Sequence, residues 1–495
     1  GNDTLLDRFE EVLTGSGADT ILMGVADTSA GLLRVGASAG NDSIDGVASS
    51  ASLVLGGGAG NDTIRGGLGN DTINPGDGDD ELRGGAGTDR LNMSAATANL
   101  RVDLGAGRVV GQGADTLLDR FEELQTGSGA DTILMGVADT SAGILRVWSN
   151  AGNDSIDGVA SSASLALDGG AGNDTIHGGL GNDTITPGAG NDELRGGAGI
   201  DELQMGAATT NLTVDLGAGR VVGQGNDTLL DRFERISTGS GADTILMGVA
   251  DTSAGILRVG ASAGNDSIDG VASSAPMALG GGAGNDTIHG GLGNDTINPG
   301  DGDDVLRGGA GIDELQMGAA TTDLTVDLGA GRVVGQGNDT LLDRFEWVWT
   351  GSGNDTILIG VPDASAGTPR IWSNPGNDCI DGSASSRPMI LDGMGGNDTI
   401  IGGNGDDEVS GGNGDDSIDG GDGNDIASYA GASSGVAVDL GTGRATGGAG
   451  NDTLANMEGV IGSDRADTLI GNGDANTLIG GNGDDSLVGG LGDDS

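Results

Sequence analysis

The chain has 495 residues, 75 of them acidic and 21 basic, with no lysine among the latter, for a formal charge of −54. Such an excess excludes nucleic acid and anionic membrane surfaces as partners, because the chain has no positive field to exchange for counterions. With aromatics at 2% and 105 glycines there is no dense apolar patch to fill a globular core, so composition alone describes a disordered chain unless a repeat supplies order.

A long repeat is visible from the first residue. Gly-Asn-Asp-Thr-Leu-Leu-Asp-Arg-Phe-Glu begins at Gly1 and returns at Gly113 (with Ala114 for Asn), Gly225 and Gly337; a diverged start follows at Gly450. This spacing predicts tandem modules of 112 residues: 1–112, 113–224, 225–336, a diverged fourth at 337–449 and a partial fifth at 450–495. The chain opens on Gly1 rather than Met and closes at Ser495 part-way through a unit, so the array is expected to extend beyond these residues. No apolar run approaches the roughly 18 residues of a membrane span. Membrane insertion is not expected.

Within each module a nine-residue period takes over. Loose copies come first, such as Gly15-Ser16-Gly17-Ala18-Asp19-Thr20-Ile21 and Gly40-Asn41-Asp42-Ser43-Ile44. From Gly57 to Asn92 four units follow without a gap: GGAGNDTIR, GGLGNDTIN, PGDGDDELR and GGAGTDRLN. The block recurs at Gly169 and Gly281, further units run from Gly402, and the chain ends in GGNGDDSLV and a cut-short GGLGDDS. Sustained phase of this kind excludes disorder.

In each unit, glycines and an Asn or Asp at the fifth place read as a tight turn of residues that tolerate positive φ. The sixth residue sends a carboxylate to the point on which the turn carbonyls converge. The last three, as in Thr63-Ile64-Arg65, form a minimal strand with Ile64 inward and its neighbours outward. Two units make one coil, and stacked coils give two parallel sheets. Oxygen-only ligands at the turns favour a hard cation, calcium, over zinc or copper. One aliphatic side chain per nine residues does not offset the entropy of ordering them, so bound ions are expected to supply the missing cohesion.

Between the blocks, Leu100–Val110 alternates on either side of Gly105-Ala106-Gly107 and reads as a hairpin or a pair of short strands. Thr116–Glu122 is compatible with a helical turn or a strand; strand is preferred. Pro75, Pro187 and Pro299 replace the first glycine of one unit per module without removing its aspartate. Cys379, the sole cysteine, excludes an intrachain disulfide and reads as a small buried filler in place of Ser or Thr. His177 and His289 fall on the outward ninth place, where solvation is expected and no third zinc ligand is near. Trp347 and Trp349 share a strand face, with Trp148 and Trp372 at equivalent sites, and fit either a core or packing between modules or chains. The Asn-Asp-Thr/Ser triplets match the glycosylation sequon, but the turn already accounts for them.

The tandem pattern resembles the RTX (repeats-in-toxin, haemolysin-type) family, whose signature is G-G-x-G-x-D-x-U-x with U a large aliphatic residue. The resemblance implies an all-β fold, a right-handed parallel β-roll or β-helix solenoid of stacked nonapeptide coils, with many calcium ions between successive turns. It also implies export from a Gram-negative bacterium by type I secretion and an extracellular or cell-surface location. Carried over by position, the metal carboxylates are Asp62, Asp71, Asp80, Asp89, Asp174, Asp183, Asp192, Asp201, Asp286, Asp295, Asp304, Asp313, Asp398, Asp407, Asp416, Asp425, Asp485 and Asp494. Gly393-Met394-Gly395-Gly396 departs from the signature and puts Asp398 in question.

No Ser-His-Asp grouping, metalloprotease helix or carboxylate pair stands apart from the repeat, so no catalytic residue is expected and the reading is not an enzyme. Near-identical modules point to a calcium-binding extracellular structural or adhesive array (surface layer, filament or adhesin stalk) that self-associates and folds on calcium binding after secretion. Two other readings remain: the export-and-folding region of a secreted enzyme, and an ice- or glycan-binding solenoid carried by outward Thr or aromatic residues.

Overall fold

The computed structural model describes residues 10–23, 33–136, 145–248, 257–360 and 367–495. The first opening of the long repeat, at residues 1–9, lies outside them. Among the described residues there is no helix, and so none long and apolar enough to cross a membrane. Short strands, most of three residues, build an all-β parallel solenoid. The chain divides into two units, 1–239 and 240–495.

In the first unit the nine-residue period becomes an eighteen-residue coil. Thr63–Arg65 pairs in parallel with Glu81–Arg83, Ile64 opposite Leu82, on one sheet. Thr72–Asp77 pairs with Arg90–Asn92, Ile73 opposite Leu91, on the other. The alternation expected of each triplet is present: Ile64, Ile73, Leu82 and Leu91 are all 0% exposed while their neighbours face outward. The interior is therefore a row of single aliphatic side chains stacked from coil to coil. In the second unit the same rungs join Thr287–His289 to Val305–Arg307 and Thr399–Gly403 to Ser417–Gly421.

The spacer is a hairpin, as its alternation predicts, and more than that. Arg101–Asp103 pairs antiparallel with Arg108–Val110, which pairs antiparallel with Ala114–Leu117. The outer two strands rejoin the parallel sheet, Ala114–Leu117 on Glu81–Arg83 and Arg101–Asp103 on Thr132–Leu134. The opposite sheet passes directly from Arg90–Asn92 to Glu123–Gln125. One face thus gains two strands that the other lacks. The segment Thr116–Glu122 divides: strand to Leu117, then a turn that drives Phe121 inward at 2% exposure.

Two side chains differ from expectation, and the tryptophan pair, open between core and surface, takes the surface. Cys379 is half-buried rather than buried, because it takes the outward first place of its strand triplet, beside the inward Ile380. His177 is half-buried, with Nε2 covered, and it lies within electrostatic reach of Asp231. Trp347 and Trp349 flank the inward Val348 and lie half-buried on the outer face, where Trp349 stacks on Trp372 at 5.2 Å and Arg370 sits over Trp347.

Candidate metal sites

Each turn is shaped by contacts too close for a side chain. Gly58 and Gly60, with φ of 100° and 129°, adopt the left-handed backbone that bends the chain. A Cβ on Gly169 would lie 2.6 Å from Asp174 Oδ2 and 2.6 Å from the Pro187 carbonyl of the next coil. A carboxylate oxygen and a carbonyl oxygen from successive coils therefore converge on the space that glycine leaves. Proline keeps this arrangement, since its carbonyl takes the place held elsewhere by a glycine carbonyl, as Gly196 does at Gly178.

The sixth-place aspartates line up in rows. Asp62 Oδ1 accepts the amide of Asp42, Asp80 Oδ1 that of Asp62, and Asp115 Oδ1 that of Asp80, at 2.7, 2.7 and 3.1 Å. Asp174 and Asp192 extend the same ladder from Asp154. In the second unit Asp286 and Asp304 do so from Asp266, and Asp398 and Asp416 from Asp378. On the other edge Asp71 is followed by Asp89, Asp183 by Asp201, Asp295 by Asp313 and Asp407 by Asp425. Of the predicted residues only Asp485 and Asp494 are not buried; they accept from Asp467 and Asn476 in the last coils. Asp398, in question because of Met394, sits as the others do, with Met394 taking a φ of 66° where glycine normally serves.

The second oxygen separates two kinds of turn. In Asp62, Asp80, Asp89, Asp174, Asp192, Asp201, Asp286, Asp304, Asp398, Asp416 and Asp425, Oδ2 is buried with no hydrogen-bond partner. In Asp71, Asp183, Asp295 and Asp407 it accepts the amide of the second residue of its own turn, as from Gly179 to Asp183 at 2.6 Å. Burying a charged oxygen without a partner is costly. Burial accordingly pushes the Asp80 carboxyl up to about 6 and those of Asp89, Asp174 and Asp313 up to about 7, against an ordinary 3.8, with neighbouring carboxylates adding to the rise. A cation beside these oxygens would remove both penalties.

The donor set also limits the ion. Among the described residues no group of three or more His, Cys, Asp or Glu side chains could hold a metal, so ligation has to draw on backbone carbonyls. Carbonyl and carboxylate oxygens around a glycine-lined space suit calcium. A family model for the RTX calcium-binding nonapeptide repeat matches residues 56–91, 167–203, 280–315, 392–427 and 461–495. These blocks are RTX calcium-binding repeats. RTX repeats bind calcium, several ions to an array, and form a non-catalytic repeat solenoid. No curated protein sequence matches the chain.

The RTX signature misses part of the ladder. Asp42, Asp131, Asp154, Asp266 and Asp378 stand outside the matched residues yet occupy the same rows, and Asp115, Asp227 and Asp339 close rows from the hairpin. Their signal was the Gly-Asn-Asp or Gly-Ala-Asp of the looser copies, followed by Ser, Thr or Cys. The fifth place also has a different reason from the one expected. Its Asn or Asp residues do not take positive φ; instead each Oδ1 accepts the fifth-place amide of the next coil, Asn41 from Asn61 and Asn61 from Asp79.

Proposed function

We propose that this chain is a calcium-dependent structural or adhesive array that stays unfolded at cytosolic calcium and folds outside the cell after type I secretion. The observation that carries the reading is the row of buried aspartate oxygens without partners. Such a row disfavours the metal-free coil at neutral pH and favours the calcium-bound one. Extracellular modules bind calcium at about 10⁻⁴–10⁻³ M, a range that separates the inside of a cell from its surroundings. Binding free energy at each turn becomes folding free energy by mass action. The aspartates named above, from Asp62 to Asp494, are the proposed ligands, those with a free second oxygen foremost. Modules of 112 residues that repeat one surface suit self-association into a layer, filament or stalk. The half-exposed tryptophans at 347, 349 and 372 belong to one rung pair and form no continuous rank, which favours the array over an ice- or glycan-binding face.

Circular dichroism of the full chain with calcium and with chelator tests folding. The expected outcome is a β spectrum in calcium and loss of most of it in chelator at neutral pH; a full β spectrum in chelator would sink the reading. Electron microscopy of the calcium-loaded protein then tests assembly, with ordered sheets or fibres expected and isolated particles counting against it.

A further inference from the structure

The chain spells Gly-Gly-Ala-Gly-Asn-Asp at 57–62, 169–174, 281–286 and 447–452. The first three copies fold alike. Their glycines at the second and fourth places take positive φ, and a Cβ on the first would meet Oδ2 of the copy's own aspartate. That Oδ2 is buried without a hydrogen-bond partner in Asp62, Asp174 and Asp286. The fourth copy, outside the residues matched by the RTX repeat, folds otherwise. Gly447 and Gly450 face each other where Arg444–Gly447 pairs antiparallel with Gly450–Ala455, so the same six residues form the tip of a hairpin. Here the first and fourth places take positive φ, 128° and 129°, and a Cβ on Gly447 would meet the Gly435 carbonyl and Val436 instead.

The carboxylate of this copy is answered by a side chain. Asp452, 2% exposed, accepts the Asp416 amide through Oδ1 at 3.1 Å, as members of the row do, while the Tyr429 hydroxyl donates to its Oδ2 at 2.9 Å. Tyr429 is itself 4% exposed. Burial and the neighbouring Asp452 and Asp416 carboxylates push its phenol up, so it stays protonated and able to donate. The corresponding corner of the first unit lacks this donor. Met205 holds the place of Tyr429, its amide returning to Ser237 as that of Tyr429 does to Ile461, and a thioether has no proton to give. Asp227 holds the place of Asp452 and accepts the Asp192 amide, but its Oδ2 is buried with no partner.

We propose that the Tyr429 hydroxyl is a metal-free clasp: it takes the place of a calcium ion at Asp452, so this row closes on a hydrogen bond where its counterpart at Asp227 relies on a cation. A buried carboxylate needs one or the other, and a phenol donates at any calcium level. The hairpin at 436–455 therefore stays closed as calcium falls, while that at 213–229 opens. The inference rests on the calcium reading above.

Native mass spectrometry of the full chain in saturating calcium counts bound ions, and amide hydrogen exchange at sub-saturating calcium follows the two hairpins. Asp452→Asn is expected to keep the wild-type count while Asp174→Asn loses at least one ion; an equal loss from both would overturn the clasp. In the wild type, 436–455 should exchange about tenfold more slowly than 213–229, the effect of a hydrogen bond to a charged group. Tyr429→Phe, which keeps the ring in place, should remove that difference. Equal protection in the wild type, or a difference that survives Tyr429→Phe, would also overturn it. Should Asp452→Asn fail to fold, the exchange contrast decides alone. A wild-type chain with no bound calcium would overturn the broader reading instead.

Discussion

Two turns nine residues apart, Gly169–Asp174 and Gly178–Asp183, share a motif and differ in chemistry. Both aspartates are buried, and in both Oδ1 accepts an amide from the coil before, Asp154 to Asp174 and Leu165 to Asp183. Only Asp183 has its Oδ2 satisfied, by Gly179. The cause lies in the neighbouring coil. Asp174 stacks between two other nonapeptide turns, whereas Asp183 lies against 158–164, a turn of different sequence whose Ser161 carbonyl takes the Leu180 amide. A nine-residue signature therefore specifies the carboxylate but not its surroundings, which belong to the coil on either side.

Acid should expose the contrast most strongly. The folded, metal-free Asp174 carboxyl is raised to about 7 from 3.8, mainly by burial, and that of Asp154 in the same row to about 6. A raised value means that the folded form binds the proton more tightly than the unfolded one. That contribution is complete below pH 3.8 and is lost as pH climbs towards 7. In chelator the chain should thus gain β signal on acidification from neutral pH to about pH 4, while in calcium the same acidification should release ions. Flat signals across that range would remove the electrostatic account.

A matched pair of substitutions sharpens the difference. Asp174→Asn should raise the calcium midpoint and lower the ion count, because the oxygen lost is one that only a cation answers. Asp183→Asn puts an amide donor against the Gly179 amide and should cost about 1–3 kcal/mol in denaturant at saturating calcium, with a smaller fall in the ion count than Asp174→Asn. Equal effects on ion count would erase the distinction between the turns. The smallest effect is expected at the fifth place, where Asn173→Asp keeps the oxygen that accepts from Asn191 and should shift stability by no more than about 0.5 kcal/mol.

Much of this was legible because the period of nine, doubled, is the coil itself: the inward aliphatics, the outward neighbours and the turn aspartates all follow from one count. The hairpin at Leu100–Val110 was legible from alternation about Gly105-Ala106-Gly107. What sequence could not show depends on which coil stacks on which. Arg101–Asp103 reaches past two strands to meet Thr132–Leu134, and that long step brings Glu122 under Asp89. The division between Asp174 and Asp183 has the same origin, as does the outward side of Cys379, fixed by the register of Ile380 rather than by its own character.

The fifth-place ladder has a further result for how such a chain can vary. Its oxygen is common to asparagine and aspartate, so either residue maintains the same backbone register, as Asn61 and Asp79 do in adjacent coils. The negative charge along an edge is consequently an adjustable quantity, free to drift by mutation without disturbing the coil. A lineage could tune the charge of its edge, and so its response to salt and divalent ions, one residue at a time.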